Sequence, residues 1–242
     1  MTTHERTTSA PIAAHENTFS CTTSAPSSAT TRERSDCASS THQYPPCAVP
    51  GCSKPARFRP KSKYCTGHRQ RNYRYGHPTV ITPRDSDLAR HRRRIQRTLS
   101  RHFEEPAVQW ALRAVELELF RYRPTHGFTQ QLWTSERMQA MKDAHVEPIE
   151  ILQRVCECYA LRRDEGDLVF PTTKVWMAFL ARKVLRMRRG ILLANSNAWQ
   201  LKFCGALIDE TLGRFATATL IRMNADQAER AAFDASCETF AR

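Results

Sequence analysis

Cys47, Cys52, Cys65 and His68 follow one another as Cys-x4-Cys-x12-Cys-x2-His. Two cysteines close together, a spacer, then a Cys and a His three apart is how a tetrahedral zinc site is written in sequence. If a helix begins just after Cys65, Cys65 and His68 lie on one face, within reach of a single ion. Cys47 and Cys52 come from a loop, where Gly51 permits a tight reversal beside the metal. Between the two pairs the only large apolar side chains are Phe58 and Tyr64. So short a segment cannot hold a fold by burial. A structural zinc, worth about 10–16 kcal/mol in small modules, supplies what the core lacks. With four protein ligands no position is left for a substrate water, so the Zn2+ is expected to be structural.

The residues Cys47, Gly51, Cys52, Pro55, Cys65, His68, Arg71, Gly76 and Pro78 resemble a small zinc-binding module of bacterial and phage proteins. In that family the module often precedes an HNH-type endonuclease domain or another nucleic-acid-binding domain. The resemblance implies a nucleic-acid partner and a phage or other mobile element as the setting. It covers about a seventh of the chain. Nuclease activity does not carry over: His145 is the last histidine, and no HNH pattern follows the module.

The charge points the same way. Of a formal net charge of +13, residues 46–102 carry all: 15 Lys and Arg against only Asp85 and Asp87. A concentrated basic block is the footprint expected for a phosphate backbone, and the competing reading is a solvated, self-repelling linker. After Cys65 a short helix is expected over Thr66–Tyr75, with Thr66 as its cap and Gly76 at its end. It carries Arg69, Arg71 and Arg74, with Tyr73 and Tyr75 interleaved. The tyrosines suit either nucleic-acid contact or the module's own core. Next, Leu88, Ile95, Leu99 and Phe103 recur at helical spacing, with Arg90, Arg93, Arg94, Arg97 and Arg101 opposite. That predicts an amphipathic helix whose stripe docks on the rest of the protein and whose arginines meet nucleic acid.

The elements that position these residues read as mainly α. Residues 1–45 are rich in Ser, Thr, Ala and Pro and predict a disordered tail, in which Cys21 and Cys37 are lone thiols. Residues 46–80 form the zinc module, 81–103 the basic helix and 104–242 an all-α domain. In that domain a helix from Pro106 is expected to bury Val108, Leu112, Val115, Leu119 and Tyr122, widened by Trp110, Leu117 and Phe120. A short helix over Ser135–Ala144 and another from Pro148 have helix-turn-helix proportions, but an ordinary hairpin is preferred because the second lacks a basic face. Asp164, Glu165 and Asp167 around Gly166 read as a solvated acidic loop. Thr172 is expected to cap a helix to Arg189, whose basic end the helix dipole explains. Ser196 is expected to cap a long helix in which Gly205 and Gly213 allow close approach or mark a kink, and a separate helix is expected over Ala225–Phe240. Cys204 and Cys237 read as core fillers.

No Gly-rich phosphate loop or nucleophile–base pair is present. No apolar run approaches the roughly 20 residues that span a bilayer. Nine cysteines without a signal segment read as reduced thiols in a cytoplasmic protein. The expected protein binds nucleic acid, DNA favoured over RNA, with no membrane partner and no catalytic residues assigned. Its helical domain would serve oligomerisation, a protein partner or specificity. The rivals are a nuclease or recombinase in which Glu116, Glu118, Asp209 and Glu210 converge, and a helical adaptor for protein.

Overall fold

The computed structural model of the chain describes residues 44–56, 63–187 and 196–240. The tail expected over 1–45, with Cys21 and Cys37, lies outside these residues except for Tyr44 and Pro45. Phe58, Arg188, Arg189 and the side chain of Cys237 also lie outside them. Among the described residues the protein is all-helical, with seven α-helices and one isolated antiparallel bridge, Pro46 to Pro55. The helices are α1 (Thr66–Tyr75), α2 (Asp85–Arg101), α3 (Pro106–Ala114), α4 (Thr129–Asp143), α5 (Pro148–Val169), α6 (Thr173–Leu185) and α7 (Ala198–Phe240). Gln43–Arg242 groups as one compact unit.

The core forms around α5, α6 and α7. Helix α6 has the sequence TKVWMAFLARKVL and buries side chains all round, from Val175 and Trp176 through Phe179 and Leu180 to Leu185. A helix apolar on every side must be enclosed by others. Thr172 caps it, its Oγ1 accepting from the Val175 N–H at 3.3 Å. Helix α7 packs most extensively against α6. Gly205 makes that approach possible: a Cβ there would stand 2.0 Å from the Met177 carbonyl oxygen. At Gly213 a Cβ would stand 2.4 Å from the Tyr159 hydroxyl. That hydroxyl donates to Asp209, which also accepts from Trp176 Nε1 at 3.1 Å. Tyr159 meets Trp176 edge to face at 5.1 Å, a favoured aromatic geometry.

Several boundaries differ from the sequence expectation. Helix α7 is one element about 65 Å long, not two, because FATATLIRMNADQAE contains no Gly or Pro to interrupt it. Its cap is Asn197 rather than Ser196: Asn197 Oδ1 accepts from the Gln200 N–H at 2.9 Å, and Gln200 reaches back to the Asn197 N–H. Thr66 is the first residue of α1, and Cys65 is its N-cap. Helix α4 starts at Thr129, ahead of the Ser135 start expected for it, and buries Trp133. Helix α3 runs on as a π-helical turn over Val115–Leu119, which shifts the face that follows. Val108, Val115, Leu119 and Phe120 are buried, but Trp110 and Leu117 are 59% and 53% exposed.

The α4–α5 pair is a hairpin whose second helix lies in the core. His145 adopts φ 52°, the left-handed position that a helix-turn-helix gives to glycine. Yet Ile151, Leu152, Val155, Cys156, Cys158 and Leu161 of α5 are all buried, so no face of that stretch is open to a groove.

Candidate metal centre and two basic helices

The metal module folds around its cysteines. Pro50 and Gly51 occupy the middle of a turn closed by Cys52 N–H to the Val49 carbonyl at 3.1 Å, with Gly51 at φ 75°. A positive φ at the third turn position is where glycine is needed. Cys47 N–H donates to Lys54 O at 3.2 Å and Ala56 N–H to Pro45 O at 2.8 Å, folding the first cysteine pair into a knuckle. Ala48 N–H donates to Lys63 O at 2.8 Å and brings the second pair alongside. Cys65 then caps α1, and the helix places His68 one turn on.

The four donor atoms consequently converge within 4.8 Å of one another. His68 Nδ1 lies 3.3 Å from Cys47 Sγ and 3.4 Å from Cys65 Sγ, and Cys52 Sγ lies 4.0 Å from Cys65 Sγ. This group can hold one metal ion, and it is the only such group of three or more among the described residues. Burial opposes ionisation of Cys47. The Cys65 N–H, 3.3 Å from its sulfur, the Val49 N–H and bonds with His68 and Cys52 outweigh it and bring the thiol down to about 6. Cys52 moves the other way: the Lys54 N–H favours its thiolate, but burial and the neighbouring sulfurs raise it. One thiolate forms readily here and the next is opposed by the first, a conflict that a shared cation removes. The other cysteines contrast with these. Burial pushes the Cys156 and Cys204 thiols up to about 12, which suits apolar packing and not ligation.

The module has little else to hold it. Its apolar cluster is Cys47, Val49 and Cys65, with Cys52 and Tyr64 packed against them, and it is separate from the main core. Helix α1 buries no residue. It touches α6 and α7 at its end, where the Arg182 guanidinium stands 5.0 Å over the Tyr75 ring and Gly76 turns the chain at φ 73°. The two tyrosines divide accordingly: Tyr75 packs on the main core, and Tyr73 is 55% exposed. Arg69, Arg71 and Arg74 are all exposed, and Arg71 and Arg74 make no ion pair or hydrogen bond with any described residue.

Helix α2 is placed differently. Leu88, His91, Ile95, Thr98 and Leu99 are buried against α5 and α7, while Phe103, past the helix end, is exposed. Its arginines meet acids from those same helices. Arg90 pairs with Glu165 at 2.7 Å, and Arg101 pairs with Asp226 at 3.3 Å and Glu229 at 3.4 Å. Arg94 donates to Gln227. Only Arg93 and Arg97 lack a side-chain partner among the described residues, Arg97 donating to the Arg93 carbonyl. Asp164 and Glu165 are not a loop but the last turns of α5, before the break at Gly166. Asp164 lies 3.6 Å from His91, whose pKa is lowered by burial despite that carboxylate.

No family model matches the chain, and comparisons with curated proteins and with solved structures also find no match.

Glu116, Glu118, Asp209 and Glu210 form no metal-ligating group of three or more among the described residues. Asp209 is bonded to Tyr159 and Trp176, while Glu116 and Glu118 are exposed on the π-helical turn. The sequence reading missed Glu157, which is 1% exposed and accepts from Arg92 at 3.0 Å and Gln153 at 3.0 Å, with Arg154 3.2 Å away. An acid set between two cysteines in an otherwise apolar helix was the available signal. It also missed the clamp from α6: the basic end of that helix holds α1 through Arg182 and α2 through Lys183, 2.8 Å from Asp85.

Proposed function

We propose that this is a nucleic-acid-binding protein in which a structural zinc ion fixes a small arginine-bearing helix on an all-α body. The carrying observation is the convergence of Cys47, Cys52, Cys65 and His68 at the base of α1. Zinc bonds of about 2.3 Å to sulfur and about 2.0 Å to nitrogen, at tetrahedral angles, set S···S near 3.8 Å and S···N near 3.6 Å. The separations of 4.0, 3.3 and 3.4 Å fit that figure. The three sulfurs also favour zinc over magnesium or calcium, which prefer oxygen. With the ion in place α1 presents Arg69, Arg71 and Arg74 on an ordered surface, suited to bidentate phosphate contacts. DNA is favoured over RNA, in the cytoplasm of a cell carrying a phage or other mobile element. This setting rests on the module's resemblance alone.

The test is a salt titration of zinc-loaded protein against a duplex DNA probe. Three phosphate contacts predict a log–log slope of about −2.7 or steeper. Affinity that stays flat with salt overturns the reading. It would leave the adaptor as the better account, for which the exposure of Trp110 and Leu117 on one side of the α3 segment is the supporting observation.

A further inference from the structure

Resting on the nucleic-acid reading, we infer that the cleft between α1 and the start of α7 takes an unpaired nucleobase of a single-stranded segment, stacked on Trp199. The cleft has a volume of about 390 Å³ and lies between Asn72 and Tyr73 on one side and Lys174, Asn197, Trp199 and Lys202 on the other. Trp199 is 64% exposed in the first turn of α7, and Tyr73 is 55% exposed across from it. Two large aromatic rings left open to water in one concavity are an unfilled stacking platform, since each base offers a π-face whatever its identity. The Lys202 and Lys174 ammonium groups stand 5.2 and 5.9 Å from the Trp199 ring centre. Both stand over the ring within cation–π reach, so an incoming base must take the place of an ammonium group on a flexible lysine stem.

The charges are placed for the rest of a nucleotide. A base lying on the indole moves the two ammonium groups from the ring face to its margin, where they meet the nucleotide's phosphate. The N-terminal end of a long helix adds positive potential at the same point. The Asn72 amide offers a donor and an acceptor at the rim, and Asn197, whose Oδ1 caps α7, adds its NH2 donor, which suits a base edge without dictating which base. Beyond the cleft, the exposed Arg71 and Arg74 continue the positive track along α1 for the neighbouring phosphates. A duplex, with its bases stacked on one another, offers no free face to Trp199. The inference therefore separates single-stranded from double-stranded partners, which the arginines alone do not.

The experiment compares full-length, zinc-loaded wild type with Trp199→Ala and Trp199→Phe. Fluorescein-labelled oligothymidylate and a duplex of the same length serve as probes, read by anisotropy at fixed salt. Loss of one stacked base predicts about tenfold weaker binding of the single strand by Trp199→Ala, with duplex affinity within about twofold. Trp199→Phe keeps a stacking face and should recover most of the loss. Trp199 is exposed, so the substitutions leave the core intact, and far-ultraviolet circular dichroism checks this. Equal losses on both probes, or no loss on the single strand, overturn the stacking site while leaving the nucleic-acid reading standing. Wild type that binds neither probe overturns both.

Discussion

Helices α1 and α2 carry similar arginine density along the chain but stand in opposite surroundings. Helix α1 buries nothing, is anchored by a metal-ligand cluster at one end and by Tyr75 at the other, and meets no acid with Arg71 or Arg74. Helix α2 buries five side chains, and Glu165, Asp226 and Glu229 answer its arginines from α5 and α7. The sequence count placed the entire net charge on residues 46–102. Folding moves acids from much later in the chain against α2 and leaves α1 bare. The field outside the molecule follows the second arrangement, so the proposed phosphate contacts fall mainly to α1, with Arg93 and Arg97 as the open part of α2.

The largest effect on this contrast is expected from removing a donor of the proposed zinc site. Cys65→Ser deletes a sulfur donor at the base of α1 while keeping a residue able to cap the helix. With a structural zinc worth about 10–16 kcal/mol, the module has no other source of stability of that size. The expected outcome is loss of stoichiometric zinc and protease sensitivity over residues 44–80, with most of the helical circular dichroism retained. Equal zinc by elemental analysis in mutant and wild type would contradict it. The reciprocal change is Gly205→Ala. It places a methyl group against the Met177 backbone, where nothing flexible can yield, so α6 and α7 must separate. A loss of about 3 kcal/mol or more in denaturant unfolding is expected, at the upper end for overpacking. Zinc stoichiometry should be unchanged, because the module's cluster is separate from the main core.

These two sites also show what a sequence can and cannot disclose. The donor set was legible because ligand spacing is local: Cys65 and His68 need only one helical turn, and the Pro50–Gly51 turn needs only its own residues. The all-α class was legible from apolar periodicity, and so was the stripe Leu88, Ile95 and Leu99. Neither partner nor phase was legible. Leu117 turned out to solvent within the π-helical turn, and Trp110 is exposed on α3 before it, although the same periodicity had assigned both to the core. Two helices were expected where α7 is one, although no Gly or Pro stands between Phe215 and Ala225 to separate them. The pairing of α2 with acids about 75 to 128 residues away depends on tertiary packing, which charge counting along the chain does not contain.

The finest test separates the two helices by charge alone. Arg71→Glu with Arg74→Glu removes two unpaired cations from α1 and should weaken duplex binding by about tenfold or more at moderate salt. The log–log salt slope should become shallower by about 1.8, at roughly 0.9 per phosphate contact. Arg90→Gln with Arg101→Gln removes as many cations from α2, yet these already face carboxylates and are about half exposed. Affinity should change by less than about twofold. Stability should fall by no more than about 1 kcal/mol per pair, since exposed ion pairs contribute little. Equal losses from the two double variants would mean that the acids of α5 and α7 do not neutralise α2 toward a polyanion, and the distinction between the helices would fail. A larger loss from the α2 variant would move the binding surface to the body and leave the metal module as a brace.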